Sequence, residues 1–218
     1  MKTRKFMVLF IALMCSATLS MAQPGFGGSG SAKFINGDVK FLKGQTSLNV
    51  KFDYDNMLVG NLSEEAYITQ ETQKQNKMKS GSGDSWATKW KADKASRFEP
   101  QFMEWFNKSI KKLGIVATSV TGDATTKYSM IVKVIKTEPG VYIGVSAFGH
   151  DAGQETYITI MVSFVETTTP ATDLATISVP KSVGTATSFA NYDTGLRITD
   201  AYVIAGKTLG SFIAKNCK

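Results

Sequence analysis

The chain has 218 residues, 43% hydrophobic and 20% charged, and a formal net charge of +7. A chain of this size buries roughly 70% of its unfolded surface, so its core needs no covalent staples. Two cysteines, Cys15 and Cys217, and a single histidine, His150, argue against a disulfide scaffold and most histidine metal centres.

Lys2, Arg4 and Lys5 precede an apolar run, Phe6 to Leu13, far shorter than the roughly 20 residues that span a bilayer. Ser20-Met21-Ala22 then offers small side chains where a signal peptidase reads. Residues 1–22 are therefore expected to be a signal peptide, cut between Ala22 and Gln23. Removing the three cations lowers the charge from +7 to +4. The mature chain is expected in the periplasm or on the cell surface, with no transmembrane segment. Lipidation of Cys15 needs small residues before it, and Met14 is bulky. Cys217 is then the one remaining thiol, expected at a frayed end.

Residues 23–32 are rich in glycine and read as a flexible leader. Their likeness to a phosphate-binding glycine loop lacks the flanking strand and helix. Residues 33–218 are expected to form a single α+β domain. Phe34 to Leu42 reads as a strand, turned at Gly44-Gln45. Leu48, Val50, Phe52 and Tyr54 alternate with polar residues as a second strand. The two are expected to form an opening hairpin, with Phe41 and Phe52 on one face.

Ser63-Glu64-Glu65 marks a helix start. That helix is too polar for the core, and Ser80-Gly81-Ser82-Gly83 breaks it. A second helix from Asp84 or Ser85 carries Trp86 and Trp90 on one face. Pro100 suits the first turn of a third helix. Its Phe102, Phe106, Ile110 and Leu113 form the best core stripe, and Gly114 stops it.

The remainder reads mainly as strands: Ile115 to Val120, Tyr128 to Thr137 as an interior strand, Val141 to Phe148, Tyr157 to Val165, and Leu174 to Val179. Asp193 to Lys215 closes as an amphipathic helix with Leu196, Tyr202, Val203, Leu209, Phe212 and Ile213 as its stripe. This order implies a mostly antiparallel sheet with helices packed on one face.

Between Lys74 and Lys112 ten basic side chains face four acidic ones. A solvated helical face is the plain reading. The sharper one is a surface for an envelope protein or an anionic envelope component, centred on Trp86, Lys89, Trp90, Lys91 and Lys94. Nucleic acid does not fit the compartment. Trp86, Trp90 and Trp105 offer stacking faces for sugars or, as helix anchors, core contacts. A carbohydrate- or lipid-binding protein with a pocket beside the sheet is the alternative.

Catalysis has weaker grounds. Gly144-Val145-Ser146 begins like a nucleophile elbow, but Phe148 occupies the second glycine position, and His150 and Asp151 lie too close along the chain. Asp53, Asp55 and Glu64 partly match a calcium loop, but Met57 and Leu58 replace an oxygen ligand and the turn glycine. A carboxylate hydrolase using Asp53, Asp55, Asp193 and Asp200 is a minor alternative. No catalytic residue, cofactor or metal is expected. Asn61 and Asn107 head glycosylation sequons that are given no role.

The run from Tyr128 to Gly140, the strand Ile158 to Glu166, and the closing helix through Ala201-Tyr202 together resemble small α+β domains of bacterial envelope proteins. These are the N-terminal domain of the Tol-system propeller protein and the curli-secretion lipoproteins. The cleavage region is similar to those of exported Bacteroidota proteins. The resemblance implies a non-enzymatic envelope or assembly role.

Overall fold

The structure is a computed structural model that describes residues 30–119, 125–140, 155–184 and 193–218. The described strands are β1 (Lys33–Gly37), β2 (Ser47–Asp53), β3 (Leu58–Val59), β4 (Leu62–Ser63), β5 (Val116–Thr118), β6 (Tyr128–Glu138), β7 (Tyr157–Glu166) and β8 (Ala175–Val183). The described helices are α1 (Glu64–Met78), α2 (Ser82–Asp93), α3 (Glu99–Ile110) and α4 (Thr194–Asn216). The fold is α+β, with helices packed on a mixed sheet.

The main sheet order is β1-β8-β7-β6-β2-β5. Pairings are antiparallel from β1 through β6 and parallel from β6 through β2 to β5. β3 continues along the same edge of β6 as β2, in parallel, and pairs with β4 in antiparallel fashion. The expected interior strand is β6, although only one of its faces is sealed. Met130, Val132 and Val134 are fully buried, whereas Ile135 is exposed. The strand expected over residues 141–148 lies outside the described residues.

The opening hairpin does not form. β1 ends at Gly37, and Asp38 accepts a hydrogen bond from the Lys40 backbone N–H at 2.8 Å to start a 3-10 turn over Lys40–Leu42. That turn buries Val39 and Leu42 and carries the chain away instead of reversing it. β1 therefore pairs with β8, Phe34 beside Ile177, while β2 lies on the far side of β6. Phe41 packs against Tyr128 and Phe164, whereas Phe52 packs against Phe102. The chain is already docked at Gly30, whose N–H donates to the Lys181 carbonyl at 3.1 Å.

The 3.6-residue period explains the helical layer. Phe102, Phe106 and Ile110 recur on one side of α3 and are at most 1% exposed. Each phenylalanine contributes about 2–3 kcal/mol by burial. Across from them, α4 contributes Ile198, Tyr202, Leu209 and Ile213. Leu196, expected in that stripe, instead faces outward at 43% exposure. The two helices approach closely because Gly206 lacks a side chain. A Cβ there would sit 2.5 Å from the Phe102 carbonyl oxygen.

The C-terminal turn is also packed. Cys217 is 4% exposed and belongs to the core cluster, and its N–H donates to the Ile213 carbonyl at 2.9 Å. The expectation of a frayed thiol is thus overturned, because α4 holds its register to Asn216. Burial pushes the Cys217 thiol above its ordinary value, against the opposing charge of Lys43. Among the described residues, no helix is long and apolar enough to cross a membrane.

Candidate binding cleft

The cleft begins with a helix start. Ser63 Oγ accepts the Ala66 N–H at 3.2 Å and, with Glu64 and Glu65 in the first turn, fixes where α1 begins. As expected, α1 buries no residue completely. It doubles back as α2 after Gly81 adopts a left-handed conformation, φ 79°. Asn76 holds the hairpin, with its Oδ1 accepting the Gly83 N–H at 2.8 Å and its Nδ2 donating to Asp84 at 3.2 Å.

The helix period then brings three rings together. Tyr67 of α1 meets Trp86 and Trp90 of α2 at centroid distances of 5.9 and 5.2 Å. The two tryptophans are 5.5 Å apart. Trp90 is buried behind, and its Nε1 donates to Glu64 Oε1 at 2.9 Å. Lys94 donates to the other oxygen of Glu64 at 2.6 Å and lies 4.4 Å from the Tyr54 ring centroid. The Tyr54 hydroxyl donates to Glu99 at 3.1 Å. This chain of contacts holds the ring cluster from behind.

In front of the rings is a cavity of about 400 Å³. Tyr67, Glu71, Lys74 and Gln75 form its α1 wall, and Trp86 its α2 wall. Val59 and Gly60, Glu138 to Gly140, and Thr194 with Arg197 close the remainder. Glu138 and Arg197 are only 7% and 6% exposed. Arg197 Nε donates to Thr156 Oγ1 at 3.1 Å, and its Nη2 donates to the Pro139 carbonyl and to Thr194 Oγ1, each at 3.2 Å. Thr156 in turn donates to the same carbonyl at 2.8 Å.

Lysines hold both carboxylates. Glu71 accepts from Lys74 at 3.2 Å and from Gln75 at 3.2 Å, while Glu138 lies 3.4 Å from Lys136. Burial lowers the Arg197 pKa from its ordinary value, and the charges of Asp193 and Tyr67 resist that change. Tyr67 is pushed up to about 12, first by burial and then by Glu71 and Glu138, with Arg197 opposing. Its phenol therefore stays protonated at neutral pH, with an O–H available to donate.

Of the five residues singled out in the sequence, only Trp86 lines this cavity. Trp90 supports it from behind, and Lys94 is half-buried on Glu64. Lys89 reaches across to Asp193 at 3.0 Å. Asp193 caps α4 through the Gly195 N–H at 2.8 Å and also lies 3.6 Å from Arg97. Lys91 is exposed. Much of the basic segment is therefore locally compensated. Trp105 lies elsewhere, with the ammonium groups of Lys108 and Lys207 4.2 and 3.8 Å from its ring centroid.

The remaining candidates diverge. Asp53 accepts the Asp55 N–H at 2.8 Å and lies 3.8 Å from Lys133. The Asn107 amide bonds both backbone groups of Ala117, at 2.9 and 2.8 Å, and ties α3 to β5. Asp200 is half-buried on α4, where burial raises its pKa. Among the described residues, no group of three or more His, Cys, Asp or Glu is placed to hold a metal ion. Ser146, His150 and Asp151, like Cys15, Ala22 and Gln23, lie outside the described residues.

A second hollow, of about 490 Å³, follows β2 past the end of its pairing with β5. Its charged lining is Lys51 and Glu99, and its one ring, Phe52, is already engaged with Phe102. It offers fewer polar groups to a ligand than the cleft does.

No protein-family model matches the chain, and no curated protein matches it. Among solved structures, it is similar to a PelC dodecamer from Paraburkholderia phytofirmans, at 9% identity and TM-score 0.37, covering 81% of this chain and 98% of that one. It is also similar to a putative neuraminyllactose-binding hemagglutinin homolog from Helicobacter pylori, at 12% identity and TM-score 0.30, covering 90% of each chain. These likenesses do not show the resemblance to the Tol-system domain or the curli-secretion lipoproteins. With TM-scores under 0.5 they carry no argument about function, which rests on the residues themselves.

Proposed function

We propose that this protein is an exported, non-catalytic binding module of a bacterial cell envelope, working in the periplasm or at the cell surface. Its ligand occupies the cleft between α1, α2 and the start of α4. One observation carries this reading: the Tyr67 and Trp86 rings meet buried Glu138 and Arg197 across a cavity of about 400 Å³. That volume lies within the roughly 300–1,000 Å³ usual for small-molecule sites, which combine an apolar wall with a few fixed polar groups.

The groups in the cleft are built to hold rather than to react. Glu71 and Glu138 are engaged by lysines, and Arg197 is held by hydrogen bonds to Thr156, Pro139 and Thr194. The test is tryptophan fluorescence titration of the full chain against glycans and lipids, repeated with Trp86→Ala. A saturable change lost in the variant supports the cleft. Binding that survives the substitution unchanged overturns it.

A further inference from the structure

We infer that the cleft accepts an uncharged pyranose with neighbouring hydroxyl groups, stacked on Trp86. This inference rests on the reading of the cleft as the ligand site. The first ground is charge. The carboxylates of Glu71 and Glu138 face the cations of Lys74 and Arg197 around one cavity, so the charges of its described lining balance. An anionic ligand would gain two cations but meet two carboxylates. A lipid tail would strand buried Glu138 and Arg197 against hydrocarbon, at a cost in lost hydration.

The second ground is the mixture of groups. A pyranose has an apolar face of C–H bonds and a rim of hydroxyls, each both donor and acceptor. Trp86 and Tyr67 supply the apolar wall, and the neighbouring Trp90 braces Trp86. Gln75 and the Tyr67 phenol supply donors, while Glu71 and Glu138 supply acceptors. The two oxygens of a carboxylate match a pair of adjacent hydroxyls. A ligand that lacks those hydroxyls forgoes the contacts with Glu71 and Glu138 and binds more weakly.

The test uses isothermal titration and saturation-transfer NMR on the full chain. The probes are methyl glycosides of glucose, galactose, mannose and N-acetylglucosamine, the methyl glucuronide, a deoxy analogue of any sugar that binds, and phosphatidylglycerol vesicles. The expected result is saturable binding of at least one neutral glycoside. Trp86→Ala should weaken it by about tenfold or more, and Trp86→Phe should restore part of it. Glu138→Gln should weaken binding while leaving the far-ultraviolet circular dichroism unchanged.

A glucuronide or vesicle that binds better than every neutral glycoside, but depends on Trp86, overturns the sugar class and leaves the cleft standing. Glycoside binding indifferent to Trp86→Ala overturns the cleft itself. Absence of neutral glycoside binding at millimolar concentration overturns the sugar assignment.

Discussion

The α3–α4 pair and the α1–α2 pair use aromatic residues in contrasting ways. In α3 the rings of Phe102 and Phe106 are sealed in the core, stacked with centroids 5.9 Å apart. In the α1–α2 hairpin, α1 buries no residue completely, and Tyr67 and Trp86 stay half open toward the cleft. The first pair packs its apolar stripes into the core beside the sheet. The other is attached largely through polar and ring contacts, such as Glu64 with Lys94 and Lys89 with Asp193. Substitutions in the two pairs should therefore separate stability from binding.

The strongest way to break the comparison is Phe106→Ala. It should lower unfolding free energy by about 3–5 kcal/mol in a denaturant titration, because the cavity forms inside a packed layer. A loss no larger than that of Trp86→Ala would remove the contrast. Gly206→Val comes next. Its side chain would press on the α3 backbone at Phe102, and a loss of about 1–3 kcal/mol is expected from the forced separation.

Ser63→Ala sharpens the other side. Losing the cap should cost about 1 kcal/mol, and hydrogen exchange should show it as faster exchange in the first turns of α1 with α3 unchanged. The buried thiol gives a readout of the core end. Cys217 should react slowly with a thiol reagent in the folded state and rapidly once denatured.

The smallest expected effect is on pH dependence. Burial works against ionisation of Asp193, but hydrogen bonds from Lys89 and the Gly195 N–H, with the charges of Lys89 and Arg97, hold its carboxyl below the ordinary value. The stability it contributes is complete above its unfolded pKa of about 3.9 and is lost as pH falls through the lower folded value. Asp193→Asn should flatten that acid loss in melting temperature measured against pH. Glu99 and Asp200, raised mainly by burial, act with the opposite sign: their protonation on acidification favours the folded state.

The sequence carries the local signals wherever a single element holds them. The Phe102-Phe106-Ile110 period, the Gly114 stop at φ 73°, the Ser63 cap and the helix after Asp193 all appear in the structure. Pairing between distant elements was less legible. β1 and β2 are neighbours along the chain, yet β1 finds its partner in β8, and nothing near Phe34 encodes that choice.

The cleft was legible only through Trp86. Its four-residue spacing from Trp90 marks a shared face, and the matching spacing of Tyr67 and Glu71 on α1 is the corresponding signal for the opposite wall. Glu138 reads locally as a turn residue. Arg197 reads as one charge within an apolar stripe, although that placement is itself a clue to a buried polar role. Counting charge along residues 74–112 overstated the basic surface, because Asp193 and Glu64 lie outside that window and fold back onto Lys89 and Lys94.

The pairing of β1 with β8 also has a kinetic consequence. Phe34 settles beside Ile177 only after almost the whole intervening chain has been supplied. Doubling a loop raises its closure cost by only about 0.6 kcal/mol, so the final state loses little stability. The rate is more sensitive, because long-range strand pairing slows folding. The outer edge of β8 should therefore be among the last to close, leaving an open strand edge at which two refolding chains can meet. Recovery of native protein should accordingly fall as refolding concentration rises.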